Sequence, residues 1–139
     1  MNKKIKNLED LKSIAADLKE KGKKVVHCHG VFDLLHLGHI KHFEEAKKFG
    51  DILIVTVTPD EFVNKGPNRP AFTTVLRLEA LAALEVIDFT AENNWPSAIE
   101  TIKILRPDIY CKGPDYKNHE KDITGKIDDE VLAVKSVNG

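Results

Sequence analysis

Apolar residues at Leu8, Leu11, Ile14, Ala15 and Leu18 return every three or four positions, with polar residues between them. That period predicts an amphipathic first helix, with Asn7 as its N-cap and Gly22 as its stop. The pattern then changes. Lys24-Val25-Val26-His27-Cys28-His29 is short, β-branched and bounded by glycines, which predicts a strand. Helical spacing resumes from His39 to Phe49, where Gly50 closes it. The same unit recurs as a strand over Ile52 to Val57, a Gly/Pro-rich loop from Thr58 to Thr73, and a helix through Val75, Leu76, Leu78, Leu81 and Leu84. A third copy starts from a strand at Val86-Ile87-Asp88-Phe89 and continues into a helix with Pro96 near its start and Pro107 after its end. Asp108-Ile109-Tyr110-Cys111 gives a fourth strand, followed by a polar loop and a last helix around Asp129 to Lys135.

Val/Ile-rich strands alternating with helices imply parallel pairing, right-handed crossovers and a sheet covered on both faces. The expected fold is α/β, a Rossmann-like three-layer sandwich with a parallel sheet. Such sheets bind ligands beyond the carboxyl ends of their strands, so the loops after Cys28, Val57, Phe89 and Cys111 are expected to converge on one site. With 139 residues and no linker or longer repeat, residues 1–139 read as one domain. Lys plus Arg number 21 against 22 for Asp plus Glu, a net charge of −1, which excludes a duplex-coating nucleic-acid binder. The lysines from Lys3 to Lys24 then read as the solvated face of the first helix. Cys28 and Cys111 lie in strand-like stretches and read as buried thiols of a reducing compartment. No apolar run follows Met1–Lys6, and Ile52–Val57 is too short to cross a bilayer, so no membrane role and a cytoplasmic location are expected.

The chemistry concentrates in Gly30-Val31-Phe32-Asp33-Leu34-Leu35-His36-Leu37-Gly38-His39, at a strand's carboxyl end and a helix start. Gly30 lets the backbone approach a ligand, and Gly38 does so beside the free N–H groups of a first helical turn. A phosphate suits that place, and His36 and His39 can aim imidazole N–H groups at the same oxygens. Phe32 reads as a packing brace of this loop, while Asp33 is balanced between capping the turn and touching a ligand or metal. His27 reads as a core or interface histidine and His42 as a solvent-facing one. Lys65 and Arg69 are solvated charges unless a phosphate comes near. A zinc site built from His36, His39 and His42, with His27, Cys28 and His29 just upstream, is the competing chemistry. It is disfavoured because the histidines straddle a loop and a helix, so no metal site is expected.

The segment matches the fuller form, GxFDxxHxGH, of the HxGH signature of the cytidylyltransferase-like nucleotidyltransferases, which the chain resembles. Lys65-Gly66-Pro67-Asn68-Arg69-Pro70, Arg77, Val86-Ile87-Asp88, and Arg106-Pro107-Asp108 before Lys112-Gly113-Pro114-Asp115-Tyr116 look like the heptose-phosphate members. Glu92-Asn93-Asn94-Trp95 is closer to the glycerol-3-phosphate cytidylyltransferases. The resemblance implies transfer of a nucleotidyl group from ATP or CTP to a phosphorylated sugar or alcohol, with Mg²⁺ present and pyrophosphate released. It implies His36, His39 and Lys65 as catalytic residues. Gly30, Val31, Phe32, Asp33, Gly38, Lys112, Gly113 and Asp115 fall to nucleotide binding, and Arg69 and Arg77 to the acceptor phosphate. A homodimer is implied, with no nucleic-acid or membrane partner. The family's late Ser/Thr-rich motif is not in this sequence, and His29 and Val31 depart from the residues common at those positions. The expectation is therefore a single domain that stops before that motif, either a nucleotidyltransferase or a nucleotide-binding module without turnover.

Overall fold

The computed structural model describes residues 2–63, 72–112 and 133–136, with Lys112 and residues 133–136 described by their backbone. Among them, β1 (Val25–Gly30), β2 (Ile52–Val57), β3 (Phe89–Glu92), β4 (Ile109–Lys112) and β5 (Ala133–Ser136) form one sheet in the order β3-β2-β1-β4-β5. Every pairing is parallel. The helices are α1 (Leu8–Glu20), α2 (Leu37–Lys47), α3 (Thr74–Ala82) and α4 (Ile99–Leu105), with a single 3-10 turn at Asp60–Phe62.

Strand alternation sorts the core into two layers. Val25 and Ile54 face one side and bury Leu8, Leu11 and Ala15 of α1 with Leu105 of α4. Val26, Leu53 and Val55 face the other and bury Phe43 and Ala46 of α2 with Leu78 and Leu81 of α3. Each fully buried Leu or Phe contributes roughly 1.5–3 kcal/mol, so these two layers hold the sandwich together. Three aspartates fix the amino ends of the strands. Asp51 and Asp108 accept the N–H groups of Lys24 and Val25, each at 2.8 Å, and Asp88 accepts that of Leu53 at 2.7 Å while pairing with Lys47.

The first helix begins as its sequence signals say: Asn7 Oδ1 accepts the Asp10 N–H at 2.7 Å, and Gly22 takes φ 82° just past the end. Ahead of it, Ile5 forms a parallel bridge with Thr90 on the outer side of β3. Asn2 and Lys4 bond the carbonyls of Ala82 and Leu84 at the end of α3.

Two expectations are corrected. The third strand is Phe89–Glu92, not Val86–Phe89: Ile87 is buried in the α2/α3 core and Asp88 serves as the anchor for Leu53. Ala133–Ser136 is a strand where a helix was expected, because the Val-rich run finds a hydrogen-bonding ladder along the free side of β4. The rest of that expected helix, Asp129–Leu132, lies outside the described residues.

Candidate functional site

The chain leaves β1 outward to β2 and β3, then returns to the other side of β1 as β4. That reversal opens a crevice at the carboxyl ends of β1 and β4, where open α/β sheets bind ligands. The segment Gly30–His39 borders it.

Phe32 takes φ 51°, a left-handed conformation that costs a bulky residue on the order of 1–3 kcal/mol. Burial offsets it. The Phe32 ring is 3% exposed and stands edge-on to Phe43 at 5.0 Å and to His39 at 5.6 Å, so it braces the loop as expected. Asp33 Oδ1 accepts the Phe72 N–H at 2.8 Å, tying the first loop to the far end of the second. Asp33 thus serves as a bridge between loops. A cavity of about 380 Å³ lies beside this bridge, lined by residues including Phe32, Leu35, Phe72 and Leu76.

The two histidines form a reciprocal cap on α2. His36, the N-cap residue, accepts the Gly38 N–H on Nδ1 at 3.0 Å, and His39 Nδ1 accepts the His36 N–H at 3.3 Å. The rings lie 4.0 Å apart and 33° from parallel. With each Nδ1 accepting, the neutral rings carry their proton on Nε2, assigned from this hydrogen-bond pattern. The Nε2–H of each ring is then its donor on the side away from these backbone bonds. Gly38 makes the fold-back possible, since a Cβ there would sit 2.7 Å from His36 Cε1.

His27 and His29 are wired inward instead. His27 Nε2 and His29 Nδ1 both lie 2.8 Å from the Thr56 hydroxyl, and His29 Nε2 lies 3.3 Å from that of Thr58. Thr56 carries a single proton, so at most one of the two rings accepts from it and at least one donates to its oxygen. Burial, and then the neighbouring His29, push His27 down to about 3, and burial pushes His29 down to about 4. Both rings are neutral at pH 7, and His29 spends both nitrogens on the sheet. His27 is a core residue, as expected, with Nδ1 unpartnered and its ring edge-on to Tyr110. His42 is not solvent-facing: it is 7% exposed on the inner side of α2 beside Phe43.

Arg77 departs most from expectation. It is 1% exposed, and all five guanidinium N–H groups meet protein acceptors. Nε donates to Phe72 O at 3.1 Å. One terminal nitrogen donates to Val31 O at 2.9 Å and Thr58 O at 2.7 Å, the other to Asp60 Oδ1 at 2.7 Å and Thr74 Oγ1 at 3.1 Å. No donor is left for an acceptor phosphate, which corrects the direct contact expected of this residue. Burial raises the Asp60 carboxyl, but the hydrogen bonds with Arg77 and Thr74 outweigh it and hold the group below its ordinary value. Burial, followed by the Asp60 charge, holds Glu92 at the end of β3 above its own. Sequence reasoning met this carboxylate only as part of the Glu92–Trp95 resemblance and gave it no role of its own.

Asn93 is fully buried, donating to the carbonyls of Trp95 and Ser97 and accepting from Thr101, so the Glu92–Trp95 segment is a self-bonded turn. Lys112 ends β4 beside the crevice. Lys65, Arg69, Gly113 and Asp115 lie outside the described residues. Among the described residues, no three His, Cys, Asp or Glu side chains gather as a metal site, and no helix is long and apolar enough to cross a membrane.

A family model described as cytidylyltransferase-like matches residues 27–138. The bifunctional protein HldE of Nitratiruptor sp. is 41% identical over 138 residues, covering 97% of this chain and 29% of its own length. HldE of Geobacter metallireducens is 37% identical over 141 residues, covering 98% and 29%. The chain thus spans under a third of these relatives. The crystal structure of the lipopolysaccharide core biosynthesis protein of Thermoplasma volcanium is 32% identical, with a TM-score of 0.76 over 84% of this chain and 98% of that one. Pantoate–β-alanine ligase of Francisella tularensis, at 18% identity and a TM-score of 0.62 over 97% of this chain and 67% of its own, shares the fold.

Proposed function

Because the chain belongs to the cytidylyltransferase-like family of nucleotidyltransferases, we propose that it transfers a nucleotidyl group from ATP or CTP to a heptose phosphate and releases pyrophosphate. An acceptor phosphate oxygen attacks the α-phosphorus, a new P–O bond forms, and the bond to the bridging α–β oxygen breaks in line with it. Charge grows on the α-phosphate oxygens and on the departing pyrophosphate, and donors already aimed there stabilise it most.

The observation that carries this reading is the reciprocal histidine cap, which holds two Nε2–H donors side by side at the start of α2. The positive end of the α2 dipole adds to it. Lys65 would neutralise phosphate charge, Arg69 would clamp the acceptor phosphate, and Lys112, Gly113 and Asp115 would flank the base and ribose. Magnesium would come with the triphosphate and neutralise its oxygens. Among the described residues, no three His, Cys, Asp or Glu side chains gather into a cage that would hold it apart from the triphosphate.

The heptose phosphate acceptor is supported by the likeness to HldE proteins and to a lipopolysaccharide core biosynthesis protein. Glycerol 3-phosphate is the weaker choice, since Asn93 spends its amide within its own turn. A cytoplasmic homodimer belongs to the same proposal, and sedimentation of the purified chain tests its second half. The reaction is tested by measuring pyrophosphate from ATP or CTP paired with heptose 1-phosphate or glycerol 3-phosphate. Release with a heptose phosphate is expected. Nucleotide binding without product in every pairing would make the protein a sensor and overturn the reading.

A further inference from the structure

Arg77 sits on α3, away from the histidine pair, yet a short circuit of bonds joins them. Its Nη1 holds the Val31 carbonyl at 2.9 Å and its Nε holds the Phe72 carbonyl at 3.1 Å, while the Phe72 N–H holds Asp33 at 2.8 Å. Both sides of the turn at Val31–Asp33 are therefore fastened to the start of α3. Between those fastenings stands Phe32 at φ 51°, a conformation it would leave if released. Its ring meets the His39 ring edge-on at 5.6 Å and an interplanar angle of 88°. We propose that Arg77 is a positioning residue: by holding the Val31–Asp33 turn strained, it fixes the orientation of the His39 imidazole and couples that ring to the end of the second loop at Phe72. This deepens the nucleotidyl transfer proposed above and rests on it.

The residue type fits the task. Five acceptors from the first loop, the end of β2, the Asp60 turn and the start of α3 surround one guanidinium, whose planar fork serves them all. A lysine keeps the charge but offers three donors from a single point, so it cannot hold Val31, Phe72, Thr58, Asp60 and Thr74 together. The charge is buried against the Asp60 carboxylate at 2.7 Å, so turning it toward a substrate would strand that pairing.

Arg77→Lys and Asp33→Ala cut the circuit at different points, and the second leaves the buried cation in place. The His39 Cε1–H and Cδ2–H resonances are followed in both variants, with and without ATP, alongside kcat and the acceptor KM. Both variants are expected to shift the His39 resonances in the same direction. They should lower kcat by about 10- to 100-fold, as small misplacements of a catalytic group do, and change the acceptor KM by less than about 3-fold. Unchanged His39 resonances in the folded variants would overturn the proposal. So would a large rise in acceptor KM with kcat retained, which is the behaviour of a direct phosphate clamp. If the wild type releases no pyrophosphate, the transfer reading fails, and the His39 resonances still decide the coupling.

Discussion

The first strand–loop–helix unit carries two pairs of histidines, and they are wired in opposite senses. His36 and His39 bond backbone N–H groups through Nδ1 at the edge of the crevice, so the chain itself sets their tautomer and puts the ring proton on Nε2. His27 and His29 bond two threonine hydroxyls inside the sheet, and burial keeps them uncharged. The residue type is constant; the neighbours differ. A histidine becomes a candidate catalyst when backbone caps fix its tautomer at the rim of a crevice, and it becomes a structural group when burial and side-chain hydroxyls hold it inside the sheet.

The largest test of that contrast is kinetic. His36→Ala or His39→Ala should lower kcat by about 10²–10³, the usual cost of losing one preorganised donor, while His27→Phe should leave it within a few fold. Equal losses at all three positions would erase the distinction. Next comes acid lability. Unfolded, both inner histidines take up protons below about pH 6.5, but folded they do so only near 4 and 3, so between those limits the unfolded chain binds more protons. Stability is then full above pH 6.5 and falls on acidification, by on the order of 2 kcal/mol per histidine at pH 5 and somewhat less for the half-buried His29. Urea unfolding at pH 7.5 and pH 5 measures the loss, and His27→Phe should remove about half of it. A smaller effect is expected at the outer pair. Gly38→Ala crowds the His36 ring at 2.7 Å, and because that ring can rotate away, activity should fall about tenfold with little change in melting temperature. A large loss of melting temperature would mean that the cap serves folding more than chemistry.

Local signals made much of this readable from the sequence. The Asn7 cap, the Gly22 stop and the Gly30–His39 segment depend on residues within a turn of one another, and each stands where its spacing puts it. Non-local features were hidden. Nothing near Arg77 reveals that carbonyls at Val31, Thr58 and Phe72 will converge on it, since they come from the first loop and from opposite ends of the second. A partial signal existed: Arg77 shares its helix face with Thr74, Leu78 and Leu81, the buried stripe of α3. His42 likewise falls in line with Phe43 and Ala46. The final strand was misread because helical and pleated readings of a short Val-rich run differ only in whether a neighbouring strand has room for it.

The small bridge between Ile5 and Thr90 has a consequence for handling this protein. Bare N–H and C=O groups along a sheet margin invite pairing with another molecule. Here Lys4 O and the Lys6 N–H occupy Thr90 on both sides, each at 2.9 Å, and the lysines of this strap ring that margin with positive charge. Trimming the strap would uncover this sticky border, and the trimmed protein is expected to self-associate more than the full chain.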